Sequence, residues 1–201
     1  MAPDATPVTA AIGFRVKSGW ATAVILGGGS SPTLLECGTV LLSDPAVPES
    51  KQPYHAALEL PEKEGKTVVE RLRKVVERAA ARSVTELLQQ SKDAGRAVRA
   101  AGLVVGSMVD PASLHNDHIR AHALEGQLFR TSLEDALRSK GIPCAVFVEK
   151  TAYGSAATAL GRSEKEVKRL VAELGESHDG PWRAEEKLAA LGAWVALAKR
   201  R

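Results

Sequence analysis

Four acidic residues, Asp110, Glu149, Glu185 and Glu186, are candidates for a carboxylate site. Asp110 and Glu149 follow two apolar stretches that we predict to be neighbouring parallel strands, and ligands gather at the carboxyl ends of such strands. Glu185 and Glu186 lie in the first turns of the last predicted helix, and clustered carboxylates can hold hard cations such as Mg²⁺. A structural role explains the same residues, and we favour it. Asp110 precedes Pro111 and can turn the chain, and acids in a first helical turn complement the helix dipole.

Three histidines, His115, His118 and His122, are spaced i, i+3 and i+7. If a helix begins at Pro111, all three share one face, and the spacing of His118 and His122 suits a zinc ion. However, Asn116 followed by an aspartate is typical of a helix start, which would leave His115 in the preceding loop. Because no clear third ligand then remains, we expect these histidines to be surface residues without a metal.

A row of basic residues recurs on the longest predicted helix, at Arg71, Lys74, Arg78 and Arg82. Such a row can follow a phosphate backbone. Acidic residues interrupt its flanks and form i, i+4 pairs, so a solvated charged face is the interpretation that we favour. The basic C-terminus at 199–201 is open to the same two interpretations. The glycine-rich segment 27–30 precedes a strand rather than a helix, which favours a hairpin loop over a phosphate cradle.

The elements that must position these residues follow from the apolar patterning. We predict strands at 9–16, 20–26, 33–42, 101–109 and 142–148, and helices at 66–93, 117–140, from 163 onward, and at 181–199. The short links between the first three strands require an antiparallel meander. Alternating helices and strands then predict an α/β fold with a mixed five-stranded sheet and helices on both faces.

The composition sets limits on the class of protein. The chain has 201 residues, and 27 basic against 24 acidic residues give a net charge of +3. Because 44% of the residues are hydrophobic, disorder over the whole chain is excluded. Only 4% are aromatic, so stacking on single-stranded nucleic acid is not expected. We find no signal peptide and no apolar run long enough to span a membrane, and therefore expect a cytoplasmic protein with no membrane partner. Cys37 and Cys144 lie in apolar runs, which predicts buried free thiols.

The domain organisation predicted from these patterns is simple. Residues 1–8 form a flexible tail, and residues 9–201 form a single domain. The proline-rich segment 44–65 lacks a clear period and is unusually long for a loop in a compact domain. Such a loop could exchange between two copies of the chain, so a homodimer is one possible assembly.

The predicted element order is that of the ribonuclease H-like fold, and the second half resembles the bacterial Holliday-junction resolvases. The residues that carry the resemblance are Gly161–Val167, the acidic, alanine-rich Ala184–Leu191, and His122–Gly126 before a buried strand. The resemblance implies cleavage of branched DNA, in which carboxylates hold two divalent metal ions beside the attacked phosphodiester.

This sequence departs from the resolvase pattern at the metal-binding positions. The first strand, Ile12–Val16, carries no acid but Arg15, and Gly106 and Ser107 stand where the fourth strand should supply a glutamate. On the closing helix, Arg183 matches the earlier acidic position and Glu186 the later one. An arginine in place of a ligand repels Mg²⁺.

We therefore expect a non-catalytic protein of this fold, without a cofactor, that acts as a nucleic-acid-associated or protein-interaction module. The alternative is a divergent nuclease that uses Mg²⁺ or Mn²⁺ at Asp110, Glu149, Glu185 and Glu186.

Overall fold

The computed structural model describes residues 6–28 and 31–199. In this part of the chain the strands are β1 (Val8–Lys17), β2 (Trp20–Gly28), β3 (Pro32–Leu41), β4 (Arg96–Val105) and β5 (Cys144–Val148). The α-helices are α1 (Glu62–Asp93), α2 (Asp117–Ser139), α3 (Ala152–Leu160), α4 (Glu164–Glu173) and α5 (Ala184–Ala198). No helix of these described residues is both long and apolar enough to cross a bilayer.

The strands form one five-stranded sheet in the order β3-β2-β1-β4-β5. β1 to β3 are antiparallel neighbours, whereas β1 pairs with β4, and β4 with β5, in parallel. Only Ser18 and Gly19 connect β1 to β2, and Gly19 has a φ of 83°, a turn conformation that glycine adopts without strain. The long helices α1 and α2 make the crossovers that parallel pairing requires. The predicted mixed sheet is confirmed.

Helices cover both faces of the sheet, and the alternation of side chains along β1 separates the two cores. Ile12 and Phe14 are fully buried on the face covered by α1 and α2, where Phe129 of α2 also packs. Ala11 lies on the opposite face, under the C-terminal helices, with Trp194 of α5 in the same core. Because both faces are buried, the central strands are almost continuously apolar.

Two glycines allow α5 to lie directly against the sheet. Gly13 of β1 and Gly102 of β4 are paired across the parallel ladder. A Cβ atom at Gly13 would lie 1.7 Å from the carbonyl oxygen of Ala189, and one at Gly102 would lie 2.2 Å from that of Gly192. The backbone of α5 therefore occupies the space that side chains would need, which explains why this helix is buried along most of its length.

Some boundaries differ from the predicted ones. α3 was not predicted, because its buried residues, Ala152 and Ala156, are too small to produce a strong apolar stripe. β4 begins at Arg96 and ends at Val105, whereas we predicted 101–109. Met108 and Val109 continue the apolar run but are half-exposed beyond the sheet. In the 44–65 segment, short 3₁₀ turns form at Pro48–Lys51 and His55–Ala57, and α1 already begins at Glu62.

Both cysteines are free, as predicted, and half-buried rather than fully buried. Parts of three predicted features lie outside the described residues. These parts are residues 1–5 of the N-terminal tail, 29–30 of the glycine-rich segment and 200–201 of the basic C-terminus.

Candidate functional site

A cleft of about 530 Å³ opens at the carboxyl ends of β1 and β4. Its walls come from the end of β1 (Arg15–Lys17), from the segment after β4 (Gly106–Pro111) and from α2, including His122 and Arg130. Because β1, β4 and β5 run in parallel, their carboxyl ends meet at this edge of the sheet, which is where α/β folds bind ligands. This cleft is the candidate functional site.

Arg15 occupies the carboxyl end of β1. Its side chain is only 4% exposed and forms an ion pair with Glu149, which directly follows β5. One guanidinium nitrogen also donates to the carbonyl oxygen of Val16 at 3.0 Å and reaches that of Val104 at 3.5 Å. The Nε atom is buried and has no hydrogen-bond partner among the described residues. Arg15 thus places a permanent positive charge at the strand end.

Lys17, two residues further on, engages a second predicted carboxylate. Its Nζ atom lies 2.8 Å from Oε1 of Glu185 at the start of α5. The hydrogen bond from Lys17 holds the pKa of Glu185 below its ordinary value of 4.5, and the charge of Arg15 acts in the same direction. We call Arg15, Lys17, Glu149 and Glu185 the β1-end charge cluster. Its two cations and two carboxylates balance in charge.

Glu186 and Asp110 each accept a hydrogen bond from the backbone. Glu186 Oε2 accepts a hydrogen bond of 2.7 Å from the backbone N–H of Arg183, just before α5 begins. Asp110 Oδ1 accepts one of 3.0 Å from the backbone N–H of Ala112, in the turn after β4. The sequence favoured the turning role of Asp110, whereas for Glu186 it favoured an interaction with the helix dipole and the structure adds a capping hydrogen bond.

The four predicted carboxylates do not assemble around one ion. Within residues 6–28 and 31–199, no three of them come within metal-sharing distance of one another. Glu149 and Glu185 are brought to the end of β1, where each meets a cation, and Asp110 lines the neighbouring cleft. Sequence reasoning missed the role of Lys17. The available signal was the i, i+2 spacing of two basic residues at the end of a buried strand, which places them on one face.

The predicted basic row lies on the solvent side of α1. Arg71, Lys74, Arg78 and Arg82 are all exposed. Lys74 lies 3.7 Å from Glu70. Among the described residues, the other three have no carboxylate within ion-pair distance.

One member of the predicted histidine group differs in the structure. His118 and His122 lie one turn apart on α2 and meet His55, which comes from the 3₁₀ turn in the 44–65 segment. His115 is exposed and lies before Asn116, whose side chain caps α2 by accepting from the backbone N–H of Ile119 at 2.9 Å. The third imidazole beside His118 and His122 is thus His55, rather than His115.

Comparisons with known proteins agree on the fold. The structure is similar to that of Thermus thermophilus RuvC, with a TM-score of 0.52 and 14% identity over 94% of this chain and 92% of that one. It is also similar to T. thermophilus RuvC in complex with a Holliday junction substrate, with a TM-score of 0.53 and 13% identity over 94% and 91% of the two chains. No protein-family model matches the sequence, and no curated protein matches it either. The chain therefore has a ribonuclease H-like fold similar to that of RuvC.

Proposed function

We propose that this chain binds branched or double-stranded DNA through its phosphates and does not cleave it. The observation that carries the proposal is the buried guanidinium of Arg15 at the carboxyl end of β1, paired with Glu149. Because ligands of α/β folds gather at that edge, the charge presented there selects what can bind. A guanidinium favours phosphate anions and disfavours metal cations.

The size of this effect supports a non-catalytic role. A divalent ion about 5 Å from a guanidinium would be repelled by about 7 kcal/mol at an effective dielectric constant of about 20. Glu149 offsets part of this repulsion through its own charge, but it pairs with Arg15, and Glu185 pairs with Lys17, so neither carboxylate is free to act as a metal ligand. Metal-assisted hydrolysis would therefore require the β1-end charge cluster to be taken apart.

The walls of the cleft suit an anion better than a cation. Arg15, Lys17 and Arg130 contribute positive charge, and Asp110 contributes one negative charge. Arg130 lies 3.0 Å from Glu134 of the same helix, in an i, i+4 pair whose side chains are 18% and 17% exposed. A phosphate in the cleft would compete with Glu149, Glu185 and Glu134 for these three cations.

The exposed row on α1 offers a second set of phosphate contacts. Arg71 and Arg82 are separated by 11 positions, a span of about 16 Å at 1.5 Å per residue. That span corresponds to about five base steps of duplex DNA at 3.4 Å each. Arg78 lies between them on the same side of the helix and, like them, has no ion-pair partner among the described residues.

The kind of nucleic acid follows from two observations. One of the similar solved structures is RuvC in complex with a Holliday junction substrate, so a four-way DNA junction is the first ligand to test. The aromatic content of 4% leaves few side chains on which unpaired bases could stack. We therefore expect duplex and branched DNA to bind more tightly than single strands.

The binding experiment uses fluorescence anisotropy with a four-way junction, a duplex, a single strand and an RNA hairpin, over a series of salt concentrations. The triple variant Arg71→Gln, Arg78→Gln, Arg82→Gln should weaken junction binding and lower the salt slope by about one unit per lost phosphate contact.

The matched control removes the same charge from another helix. Lys165, Lys168 and Arg169 are exposed on α4, on the opposite face of the sheet. Changing all three to glutamine should leave junction binding nearly unchanged. Equal loss in both triple variants would reduce binding to non-specific charge attraction. No binding to any nucleic acid would overturn the proposal and favour a protein-interaction module.

A cleavage assay with Mg²⁺ or Mn²⁺ tests the second half of the proposal. We expect intact junction, single strand and RNA after prolonged incubation. Metal-dependent cleavage that disappears in Glu149→Gln or Glu186→Gln would contradict a non-catalytic role. That result would support the divergent nuclease that uses Asp110, Glu149, Glu185 and Glu186.

A further inference from the structure

Three imidazole rings converge where the 44–65 segment meets α2. The ring centroids of His55, His118 and His122 lie between 4.3 and 4.7 Å apart, and the rings are tilted or edge-on to one another. One ligand nitrogen from each of the three rings lies within 4.8 Å of the others. Among the described residues, this is the one group of three or more histidine, cysteine or acidic side chains that could share a metal ion.

Local structure explains why the three meet. The Asn116 cap starts α2 at Asp117, so His118 and His122 fall one turn apart on the same face. His55 lies in the 3₁₀ turn His55–Ala57, whose backbone is tied to α2. The backbone N–H of His55 donates to Oε1 of Glu125 at 3.2 Å.

Glu125 determines the orientation of His55. Its side chain is fully buried, and its Oε1 lies 2.8 Å from Nδ1 of His55. Because a carboxylate accepts hydrogen bonds, a neutral His55 ring carries its proton on Nδ1 and keeps a free lone pair on Nε2. That Nε2 atom is buried and has no hydrogen-bond partner among the described residues. A carboxylate behind one ring nitrogen and a free lone pair on the other is the usual arrangement around a metal-bound histidine.

The two histidines of α2 have the spacing that a tetrahedral ion needs. The Nε2 atoms of His118 and His122 are 3.2 Å apart. Two nitrogens bound to zinc at 2.0–2.1 Å in a tetrahedral site lie about 3.3 Å apart. Without an ion, one of the two rings must donate a hydrogen bond from its Nε2–H to the Nε2 lone pair of the other. With an ion, both lone pairs have a partner.

Charge favours a cation here as well. Glu125 is buried on α2, and its Oε2 atom has no hydrogen-bond partner among the described residues. His122 Nδ1 lies 4.0 Å from this oxygen, beyond hydrogen-bond distance. A buried carboxylate without full compensation is costly, and a divalent ion held by the neighbouring rings would offset that cost.

We propose that His55, His118 and His122 bind one Zn²⁺ through their Nε2 atoms, with Glu125 as the buried carboxylate that orients His55. Three imidazole ligands favour zinc and similar transition metals over Mg²⁺ or Mn²⁺. His118 and His122 are exposed, so the fourth position is open to water. The ion links the 44–65 segment to α2. It is separate from the carboxylates considered for a nuclease.

The test is isothermal titration of untagged, chelator-treated protein with Zn²⁺, followed by Co²⁺ substitution and visible spectroscopy. We expect one Zn²⁺ per chain, no detectable Mg²⁺ binding, and the absorption bands of four-coordinate Co²⁺. The double variant His118→Asn, His122→Asn should lose zinc affinity by at least about 100-fold, and Glu125→Gln by about 10- to 100-fold.

The control is His115→Asn, which removes a nearby exposed histidine that is not in the cluster and should leave zinc affinity unchanged. Because His118 and His122 are exposed, the double variant should keep the melting temperature of the metal-free wild type, whereas zinc should raise that of the wild type only. Absence of zinc binding by folded wild-type protein would overturn the proposal. Equal affinity in wild type and double variant would do the same, and neither result depends on whether DNA binds.

Discussion

Arg15 sets the electrostatics of the strand ends through one buried charge. Its side chain is 4% exposed and its partner Glu149 is 45% exposed, so most of the free-energy cost of removing the pair from water falls on the arginine. The guanidinium stays charged at any ordinary pH. Its partner Glu149 is therefore engaged in an ion pair rather than left free for a metal. Lys17 extends this balance to Glu185 at the start of α5.

The Lys17–Glu185 pair predicts a pH-dependent contribution to stability. Because the folded state holds the pKa of Glu185 below its ordinary value of 4.5, the pair stabilises the fold above pH 4.5. This contribution is lost as the pH falls through the lower folded pKa. Lys17→Met should therefore reduce the free energy of unfolding at neutral pH by about 0.2–1 kcal/mol, since both side chains are partly exposed. Urea denaturation at neutral pH and at about pH 3 measures the difference, which should shrink in acid.

The control for that measurement is Lys165→Met. Lys165 is exposed on α4 and has no ion-pair partner within the described residues, so its effect on stability should not change between the two pH values. A Lys17→Met effect that persisted in acid would show that the lysine acts through packing rather than through Glu185.

Cys37 should be chemically inert in the folded protein. Burial, with a smaller contribution from the charge of Glu186, raises the pKa of its thiol to about 11. A rise of two pKa units lowers the reactive thiolate about 100-fold at neutral pH. In a Cys144→Ser variant, alkylation of native Cys37 should be at least about 100-fold slower than alkylation of the same protein in denaturant. Rates within a few-fold of each other would contradict the raised pKa.

At the scale of elements, α5 is held by the backbone of the sheet rather than by side-chain interdigitation alone. Gly13 and Gly102 form a flat strip on β1 and β4, and the small residues of α5 lie against it. This close approach carries the start of α5, and with it Glu185, to the end of β1. The charge cluster thus depends on two glycines that have no charge themselves.

Substitution of these glycines tests that dependence. Gly102→Ala places a methyl group 2.2 Å from the carbonyl oxygen of Gly192, so either α5 or β4 must shift. We expect the free energy of unfolding to fall by about 1–3 kcal/mol, as in other overpacked cores. Chemical denaturation followed by circular dichroism measures it. Gly38→Ala on β3 is the matched control, because an added Cβ there meets no atom within 4 Å. Similar stability of the two variants would exclude the close approach.

At the scale of the whole molecule, the fold brings together charged and histidine side chains from distant parts of the chain. The edge formed by β1, β4 and β5 gathers the β1-end charge cluster, while the 44–65 segment crosses to α2 and completes the histidine group. His122 belongs both to that group and to the wall of the cleft. The two proposed ligands, DNA phosphate and zinc, would therefore bind on adjoining surfaces.

Local patterns were sufficient to predict much of this architecture. Alternating and continuous apolar runs located the strands, and capping residues such as Asn116 and Ser163 located helix starts, because both signals depend on neighbours within a few residues. The order of the elements followed from these patterns, and the resemblance to the ribonuclease H-like fold came from that order. α3 escaped prediction, since its small buried alanines produce almost no amphipathic signal.

The sequence by itself determined the class of fold and the absence of acids from β1, because these depend on periodicity and on residue identity. Only the tertiary structure decided which side chains meet. The pairing of Arg15 with Glu149, of Lys17 with Glu185, and of His55 with His118 and His122 joins residues that are far apart along the chain. Spacing within one element cannot predict such pairs, since they depend on how strands align and how a loop crosses a helix. For the same reason His55, rather than the sequence-adjacent His115, completes the histidine group.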